Sequence, residues 1–249
     1  RLIERWRQSL RAQTQPDVLR DLRALALDVV VSLAMGAESN TLQRGRSEIE
    51  EDIHFLFQRV GARLVAPVDY WRWFKLPVDR QIDAAAQRML TTVRGYVEQG
   101  KKRLESEPHR RQTPANMMDA LLAAAQEPAS GVSKSAVIGT ALTMVFAGED
   151  TTSSTLAWLM IQLAEHPEVA ERVAAEVDAA FGDAAALVEH AALEKLTYTE
   201  AVIQESMRLK PATPMMGLET RAEVTVGGVL LPPGIRLMLM RSEERRVGK

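Results

Sequence analysis

One apolar segment, from Ser133 to Glu165, limits the folds that this chain can adopt more than any other feature. At about 1.5 Å per residue, a helix of this length spans roughly 50 Å. Apolar residues occur on nearly all sides of such a helix, which is typical of a helix in the centre of a large helical domain. The sequence therefore predicts a mainly α fold built on one long central helix.

The rest of the chain agrees with a multi-helix domain. Aromatic residues are only 5% of the sequence, and Ala, Leu and Val dominate its apolar content, a composition that favours helix over sheet. Hydrophobic periodicity predicts helices over 1–12, 17–35, 45–65, 80–106, 116–126, 167–181 and 197–210. Asp17 is predicted to cap the second of these helices, and Gly36 to end it.

Strand patterns appear only near the C-terminus. The Gly227-Gly228 pair between Glu223–Val226 and Val229–Leu231 predicts a β-hairpin, and Ile235–Met240 predicts a further strand. Residues 66–79 contain two prolines and four aromatic residues and are interpreted as a loop. The aromatic segment Tyr70–Phe74 within it either packs beneath the long helix or lines an access channel.

Composition excludes several classes of function. With 31 Lys+Arg and 33 Asp+Glu the net charge is −2, so no basic excess indicates a nucleic-acid partner. The chain has no Cys, which excludes disulfides, Cys-ligated zinc, iron–sulfur clusters and a Cys nucleophile within it. Glu51 and His54 form one Glu-x-x-His match where a di-iron bundle needs two, so no metal site is predicted in this chain. No apolar run reaches the roughly 18 residues of a membrane span, and we expect no membrane partner and a cytoplasmic location.

A polar insertion interrupts the central helix at Ala147-Gly148-Glu149-Asp150-Thr151-Thr152. Gly costs about 1 kcal/mol inside a helix, and buried acids cost desolvation energy unless they are paired. One interpretation is functional: Gly148 lets a flat ligand approach the backbone, while Asp150 and Thr151 offer an acid and a hydroxyl for proton transfer. The other is a helix kink with Thr hydroxyls bonded back to the helix.

The order of several motifs resembles the cytochrome P450 family of haem-thiolate monooxygenases. Residues 147–152 are similar to its central-helix motif of Ala/Gly, Gly, any residue, Asp/Glu, Thr and Thr/Ser. Glu205 and Arg208 match its Glu-x-x-Arg helix, although such a pair alone is typical of a surface ion pair. The segments 166–177 and 221–234 resemble the intervening helix and the following β-segment. The likeness is strong over 133–240, and 1–132 are compatible with it.

The resemblance implies a role for each of these residues. Ala147 and Gly148 would flank the oxygen-binding groove over the haem, and Asp150 and Thr151 would help to deliver protons to dioxygen. A buried, structural ion pair is implied for Glu205 and Arg208. For Arg221 it implies a charge-assisted contact with a haem propionate, a surface Arg beside a strand being the alternative.

The family holds haem iron through a Cys thiolate, which this chain lacks. We therefore expect an internal fragment, truncated at both ends and without the Cys-ligand loop, that neither retains haem nor acts alone. The full-length enzyme would hydroxylate a small, apolar organic substrate with O₂ and electrons from a ferredoxin- or flavin-type donor. The alternative is a haem-free helical binding or structural module, a degenerate or truncated relative.

We interpret residues 1–241 as a partial domain of this type. Residues 242–249 have neither periodicity nor a cap. They are interpreted as a non-native or frame-shifted tail, with a natural charged tail as the alternative.

Overall fold

Helices follow one another through most of the computed structural model, which describes residues 1–44, 48–64, 68, 70–182 and 193–241. The α-helices are α1 (Leu2–Arg11), α2 (Val18–Val30), α3 (Thr41–Arg44), α4 (Glu48–Leu64), α5 (Pro77–Ser106), α6 (Met117–Ala124), α7 (Lys134–Glu165), α8 (Pro167–Phe181) and α9 (Thr197–Leu209). The prediction of a mainly α fold with one long apolar helix, α7, is confirmed. None of the described helices has both the length and the hydropathy to cross a membrane.

The ends of α2 show how local sequence sets the helix boundaries. The Asp17 carboxylate accepts a hydrogen bond from the Arg20 N–H at 3.1 Å, which confirms the predicted cap. After Val30 the backbone continues as a π-helix over Val31–Met35. Gly36 then ends it at φ +61°, a left-handed conformation that glycine adopts without steric cost.

Contacts divide the chain into two units, Arg1–Ser153 and the residues from Ser154 onward. The first unit contains one apolar core, to which α2, α4, α5, α6 and the first half of α7 contribute. Its most deeply buried side chains include Leu27, Val31, Met35, Ile53, Met89, Val93, Leu104, Met118, Val137 and Val145.

A buried carboxylate joins α5, α6 and the end of the π-helix. Asp119 is fully buried, and its Oδ1 accepts hydrogen bonds from Arg103 Nε at 3.0 Å and Nη2 at 2.8 Å. The same guanidinium donates to the carbonyl oxygens of Met35 and Gly36, each at 3.0 Å. Arg103 therefore pairs a charge that would be costly to bury alone and also holds the last carbonyls of a helix.

In the second unit, Glu176 of α8 caps α9. Its carboxylate accepts hydrogen bonds from the backbone N–H of Tyr198 at 2.8 Å and of Thr199 at 2.7 Å. These N–H groups belong to the first turn of α9 and have no partner within that helix. The Arg172 guanidinium lies 4.0 Å from the Tyr198 ring centre, which adds a cation–π contact between the same two helices.

Four short strands follow α9 and form two antiparallel pairs. Strand β2 (Val224–Val226) pairs with β3 (Val229–Leu231), and the glycines between them have φ of +58° and +81°, which confirms the hairpin. Strand β4 (Arg236–Met240) pairs with β1 (Met215–Glu219). The sequence did not predict β1, because Met215-Met216-Gly217-Leu218 lacks the alternation of a strand with one buried face, and all five of its residues are exposed.

The aromatic segment differs from the expectation that it packs beneath the long helix. Tyr70–Arg72 form one turn of 3₁₀-helix, and the side chains of Trp73 and Phe74 are 75% and 57% exposed. Residues 242–249, interpreted above as a non-native or frame-shifted tail, lie outside the described residues.

Candidate functional site

The polar insertion at 147–152 continues α7 without a break. Thr151 Oγ1 donates a hydrogen bond to the Ala147 carbonyl oxygen at 2.7 Å, and Ser153 Oγ donates to the Asp150 carbonyl at 3.2 Å. Bonds to carbonyls one turn back satisfy a hydroxyl inside a helix. The hydrogen bond from a Thr hydroxyl back to the helix, one of the two sequence interpretations, is therefore present. Helix α7 continues through this segment.

Residues 147–152 belong to two rows on opposite sides of α7, one exposed and one buried. The exposed row consists of Gly139, Thr143, Ala147 and Thr151. The buried row consists of Val137, Ala141, Val145, Glu149 and Ser153. Residues four apart share a helix face, so the small residues of the motif face outward while Glu149 faces the protein.

Gly148 lies between these rows and contacts α2. A Cβ atom added here would meet Val30 Cγ2 at 2.5 Å and Val30 Cγ1 at 3.3 Å. The sequence interpretation left this space for a flat ligand. In the structure Val30 fills it, because the absence of a side chain allows the two helices to approach closely.

Asp150 is held by an ion pair to α2. Arg23 Nη2 donates a hydrogen bond to Asp150 Oδ1 at 3.0 Å, and both side chains are partly buried. A charge-assisted bond of this kind fixes the carboxylate next to Thr151 in the chain. The two residues proposed for proton transfer are consecutive on one helical turn, with Asp150 paired to Arg23 and Thr151 bonded to Ala147.

Glu149 is the residue that the sequence interpretation missed. It is 1% exposed, and its Oε2 atom has no hydrogen-bond partner among the described residues. Burial raises the pKa of Glu149 to about 8, with smaller contributions from the charges of nearby Arg23, which lowers it, and of Glu50 and Asp150, which raise it. The signal was present: Glu149 follows Val137, Ala141 and Val145 at intervals of four residues, on the row that faces the core.

The Glu205–Arg208 pair forms in the second unit, as the spacing predicts, but it is not buried. Two N–H groups of the Arg208 guanidinium donate hydrogen bonds to the two carboxylate oxygens of Glu205. The side chain of Glu205 is 52% exposed and that of Arg208 is 43% exposed. They lie at a groove of about 1020 Å³ between the end of α7 and α9, whose lining includes Trp158 and Tyr198. The expectation of a buried pair is wrong for the described chain because this groove leaves one side of the pair open.

Arg221 is exposed in the connection between β1 and β2. It has no hydrogen bond or ion pair to any residue that the structure describes. Like Glu205 and Arg208 it belongs to the second unit, whereas Ala147, Gly148, Asp150 and Thr151 belong to the first.

Each unit can be compared separately with what a haem group requires. Ala147 and Thr151 offer an exposed helix face without bulky side chains, and a Cβ added at Gly139 on the same row would meet no atom within 4 Å. An exposed guanidinium such as that of Arg221 suits a carboxylate. The chain has no Cys, so the thiolate ligand of a haem-thiolate centre is not among its residues.

Comparison with known proteins shows the family of this chain. The cytochrome P450 family model matches residues 1–243. Cytochrome P450 4A6 of Oryctolagus cuniculus is 27% identical over 249 residues, covering 96% of this chain and 48% of the relative. The cyclooctat-9-en-7-ol 5-monooxygenase of Streptomyces melanosporofaciens is 32% identical over 225 residues, covering 89% of this chain and 46% of the relative.

Cytochrome P450 4A11 of Homo sapiens is 26% identical over 250 residues, and the match covers 96% of this chain and 47% of the relative. The chain therefore spans about half the length of the curated relatives that it matches. The family match extends through both units, from α1 to β4, and contains every residue of the candidate site. The chain belongs to the cytochrome P450 family.

Proposed function

We propose that this chain is part of a haem-thiolate monooxygenase, which activates O₂ at haem iron and hydroxylates a small, apolar organic substrate. The observation that carries the proposal is the arrangement of one turn of α7. There Ala147 and Thr151 share an exposed face, and Asp150 is fixed beside them by Arg23 at 3.0 Å.

When bound, haem supplies the iron at which dioxygen is activated. Ala147 leaves space for a flat group against the helix, and a haem contact at Gly148 would use its backbone, since Val30 occupies the side-chain position. The Thr151 hydroxyl donates a hydrogen bond to the Ala147 carbonyl, and a hydroxyl oxygen can also accept a hydrogen bond from a group that carries a proton. The Asp150 carboxylate accepts and releases the protons that pass this hydroxyl.

The residues of the second unit hold the group and the fold. Arg221 would hold a haem propionate through its guanidinium. Glu205 and Arg208 form a structural ion pair, whose exposed side in this chain is the place for further protein contacts.

The name of one relative supports the proposed class of substrate. One relative is named for oxidation of cyclooctat-9-en-7-ol, which supports a small, apolar substrate. The proposal includes a redox partner of the ferredoxin or flavin type as the source of electrons. A cytoplasmic location belongs to the same proposal.

Thr151→Ala in the full-length protein tests the proton-transfer role. We expect product formed per reductant consumed to fall on the order of 10-fold, because general acid–base groups contribute at least that much. Thr143→Ala is the matched control, since Thr143 lies on the same exposed row and donates to the Gly139 carbonyl at 2.9 Å. Equal losses in the two variants would contradict the assignment.

A second proposal concerns the 249 residues by themselves: without a Cys they do not hold haem in the thiolate state. The test is to mix the purified chain with haem, reduce it and add CO. A difference band typical of thiolate-bound haem would contradict the proposal. If the full-length protein also lacks that band, the alternative of a haem-free helical binding or structural module is favoured.

A further inference from the structure

A pocket of about 540 Å³ lies between α2 and α4 in the first unit, and Glu149 of α7 lines it. The remaining lining side chains come from the N-cap of α2, from α2 itself and from α4: Asp17, Leu19, Arg20, Arg23, Glu50, Glu51, His54, Phe55 and Gln58. Most residues that line the pocket are therefore charged or polar, and Glu149 itself is almost completely buried. The proton-transfer role assigned to Asp150 and Thr151 does not explain why a buried acid lines this pocket.

Several side chains that line this pocket have a buried polar atom without a hydrogen-bond partner among the described residues. They include one acceptor, Glu149 Oε2, and two donors, Arg20 Nε and Arg23 Nε. A buried polar group without a partner costs free energy, and pockets of this size and polarity admit water that satisfies such groups. Water that enters from the α2–α4 side can therefore reach the Glu149 carboxyl.

Arg23 connects this pocket to the candidate site. It lines the pocket, and its Nη2 donates to Asp150 Oδ1 at 3.0 Å. Glu149 and Asp150 are consecutive residues, so one acid faces the pocket and the next is fixed by a pocket residue. A path from the pocket to Asp150 therefore runs past Glu149 and Arg23, in addition to the direct solvent contact of the Asp150 side chain, which is 36% exposed.

Charges around Glu149 favour its neutral form. Burial has the largest effect and raises the pKa of its carboxyl, and the carboxylates of Glu50 on α4 and Asp150 on α7 act in the same direction. Arg23 on α2 acts against them. Arg20, Glu51, His54 and Asp17 also line the pocket and complete its set of titratable and charged groups.

We propose that Glu149 is a proton-storage residue, loaded from solvent through the α2–α4 pocket, that supplies protons to Asp150. The inference rests on the proposed function, because Asp150 needs a supply only if protons are consumed there. The step transfers one proton and no electrons. The Glu149 O–H bond breaks, the proton passes through pocket water to the Asp150 carboxylate, and bulk solvent then restores the proton on Glu149.

Infrared spectroscopy of the 249-residue chain tests the storage step without haem. We expect a carboxylic-acid C=O band at neutral pH that titrates with a midpoint near pH 8. The band should be lost in Glu149→Gln and retained in Glu48→Gln, which removes an exposed carboxyl from α4. A chain without such a band, or a band that survives Glu149→Gln, would overturn the proposal.

The haem-loaded full-length protein tests the supply step. Glu149→Gln keeps the shape and neutrality of the protonated acid but cannot release a proton, so a structural role predicts normal turnover. We expect instead that product formed per reductant consumed falls on the order of 10-fold and that the solvent deuterium isotope effect on product formation increases.

The two proposals fail in different ways. Failure of the proposed function would appear in the unsubstituted protein, as absence of oxygenated product. If that protein is active and Glu149→Gln matches it in both yield and isotope effect, the supply role of Glu149 is wrong.

Discussion

Gly148 of α7 and Val30 of α2 are in such close contact that a methyl group on the glycine would lie 2.5 Å from the valine Cγ2 atom. Val30 and Arg23 are seven residues apart on α2 and therefore lie on the same face of that helix. Arg23 in turn pairs with Asp150, two residues beyond Gly148. The glycine contact and the ion pair thus belong to one interface, and the close approach of the helices helps to place the Asp150 carboxylate.

Gly148→Ala should destabilise the first unit. Overpacking costs about 1–3 kcal/mol, while replacing Gly by Ala in a helix returns up to about 1 kcal/mol. We expect a net loss of about 1–2 kcal/mol in the free energy of unfolding, measured by urea denaturation.

Gly139→Ala is the matched control for this substitution. Gly139 lies on the same helix, and an added Cβ would meet no atom within 4 Å. It should therefore show only the gain in helix propensity, about 0.5–1 kcal/mol of added stability. Equal shifts in the two variants would contradict the contact with Val30.

Local features of this fold could be read from the sequence because their causes lie within a few residues. Asp17 caps α2 through the N–H of Arg20, three positions away, and Gly227-Gly228 set the hairpin turn by their own backbone conformation. The long apolar helix likewise follows from composition over one continuous segment.

Features that depend on distant partners could not be predicted in this way. Val30 is far from Gly148 in the chain, so periodicity showed a gap in the helix surface but not what fills it. Strand β1 has no pattern of its own and exists because β4 pairs with it. The exposure of Glu205 and Arg208 likewise depends on the groove beside them.

Arg103→Ala should strongly destabilise the first unit. The substitution leaves Asp119, which is fully buried, without its main counter-charge, and it frees the carbonyls of Met35 and Gly36. Removing one partner of a buried pair costs about 3–5 kcal/mol. Thermal or urea denaturation measures the change.

Lys101→Ala provides the comparison for Arg103. Lys101 lies on the same helix, and its pair with Glu98 is exposed on both sides. Exposed pairs contribute about 0–1 kcal/mol, so this variant should remain close to the parent chain. A similar loss in both would argue against a special role of the Asp119 site.

Glu176→Ala should loosen the start of α9. Burial raises the pKa of Glu176, but hydrogen bonds from Thr199, Tyr198 and Thr197 outweigh it and leave the pKa below its usual value. Because the pKa of Glu176 is lower in the folded state than in the unfolded state, its carboxylate stabilises α9 at pH values above the unfolded-state pKa. This stabilisation is lost as the pH falls through the folded-state pKa. Amide hydrogen exchange at Tyr198 and Thr199 should therefore accelerate at acidic pH, and in Glu176→Ala at neutral pH as well.

Thr197→Ala tests whether these effects come from the cap or from loss of helix α9 as a whole. Its hydroxyl lies 3.5 Å from Glu176 Oε1, the longest of these contacts. This variant should keep the slow exchange at Tyr198 and Thr199. Unchanged exchange in Glu176→Ala would show that the carboxylate does not cap the helix.

Glu149→Gln should change how stability depends on pH, whatever the catalytic role of this residue. The folded-state pKa, about 8, lies above the ordinary value of 4.5, so the protonated acid is favoured in the folded state. The protonated acid therefore adds to the free energy of unfolding, in full at pH values below the unfolded-state pKa of Glu149. This contribution, on the order of a few kcal/mol, is lost as the pH rises through the folded-state pKa. Urea denaturation at a series of pH values should show the parent chain losing stability toward pH 8 and above, while Glu149→Gln, which has no proton to release, does not.

Glu48→Gln, an exposed substitution on α4, should follow the parent chain. Parallel pH profiles for the parent and Glu149→Gln would mean that the Glu149 carboxyl is ionised in the folded protein, and both this prediction and the proton-storage role would then be wrong.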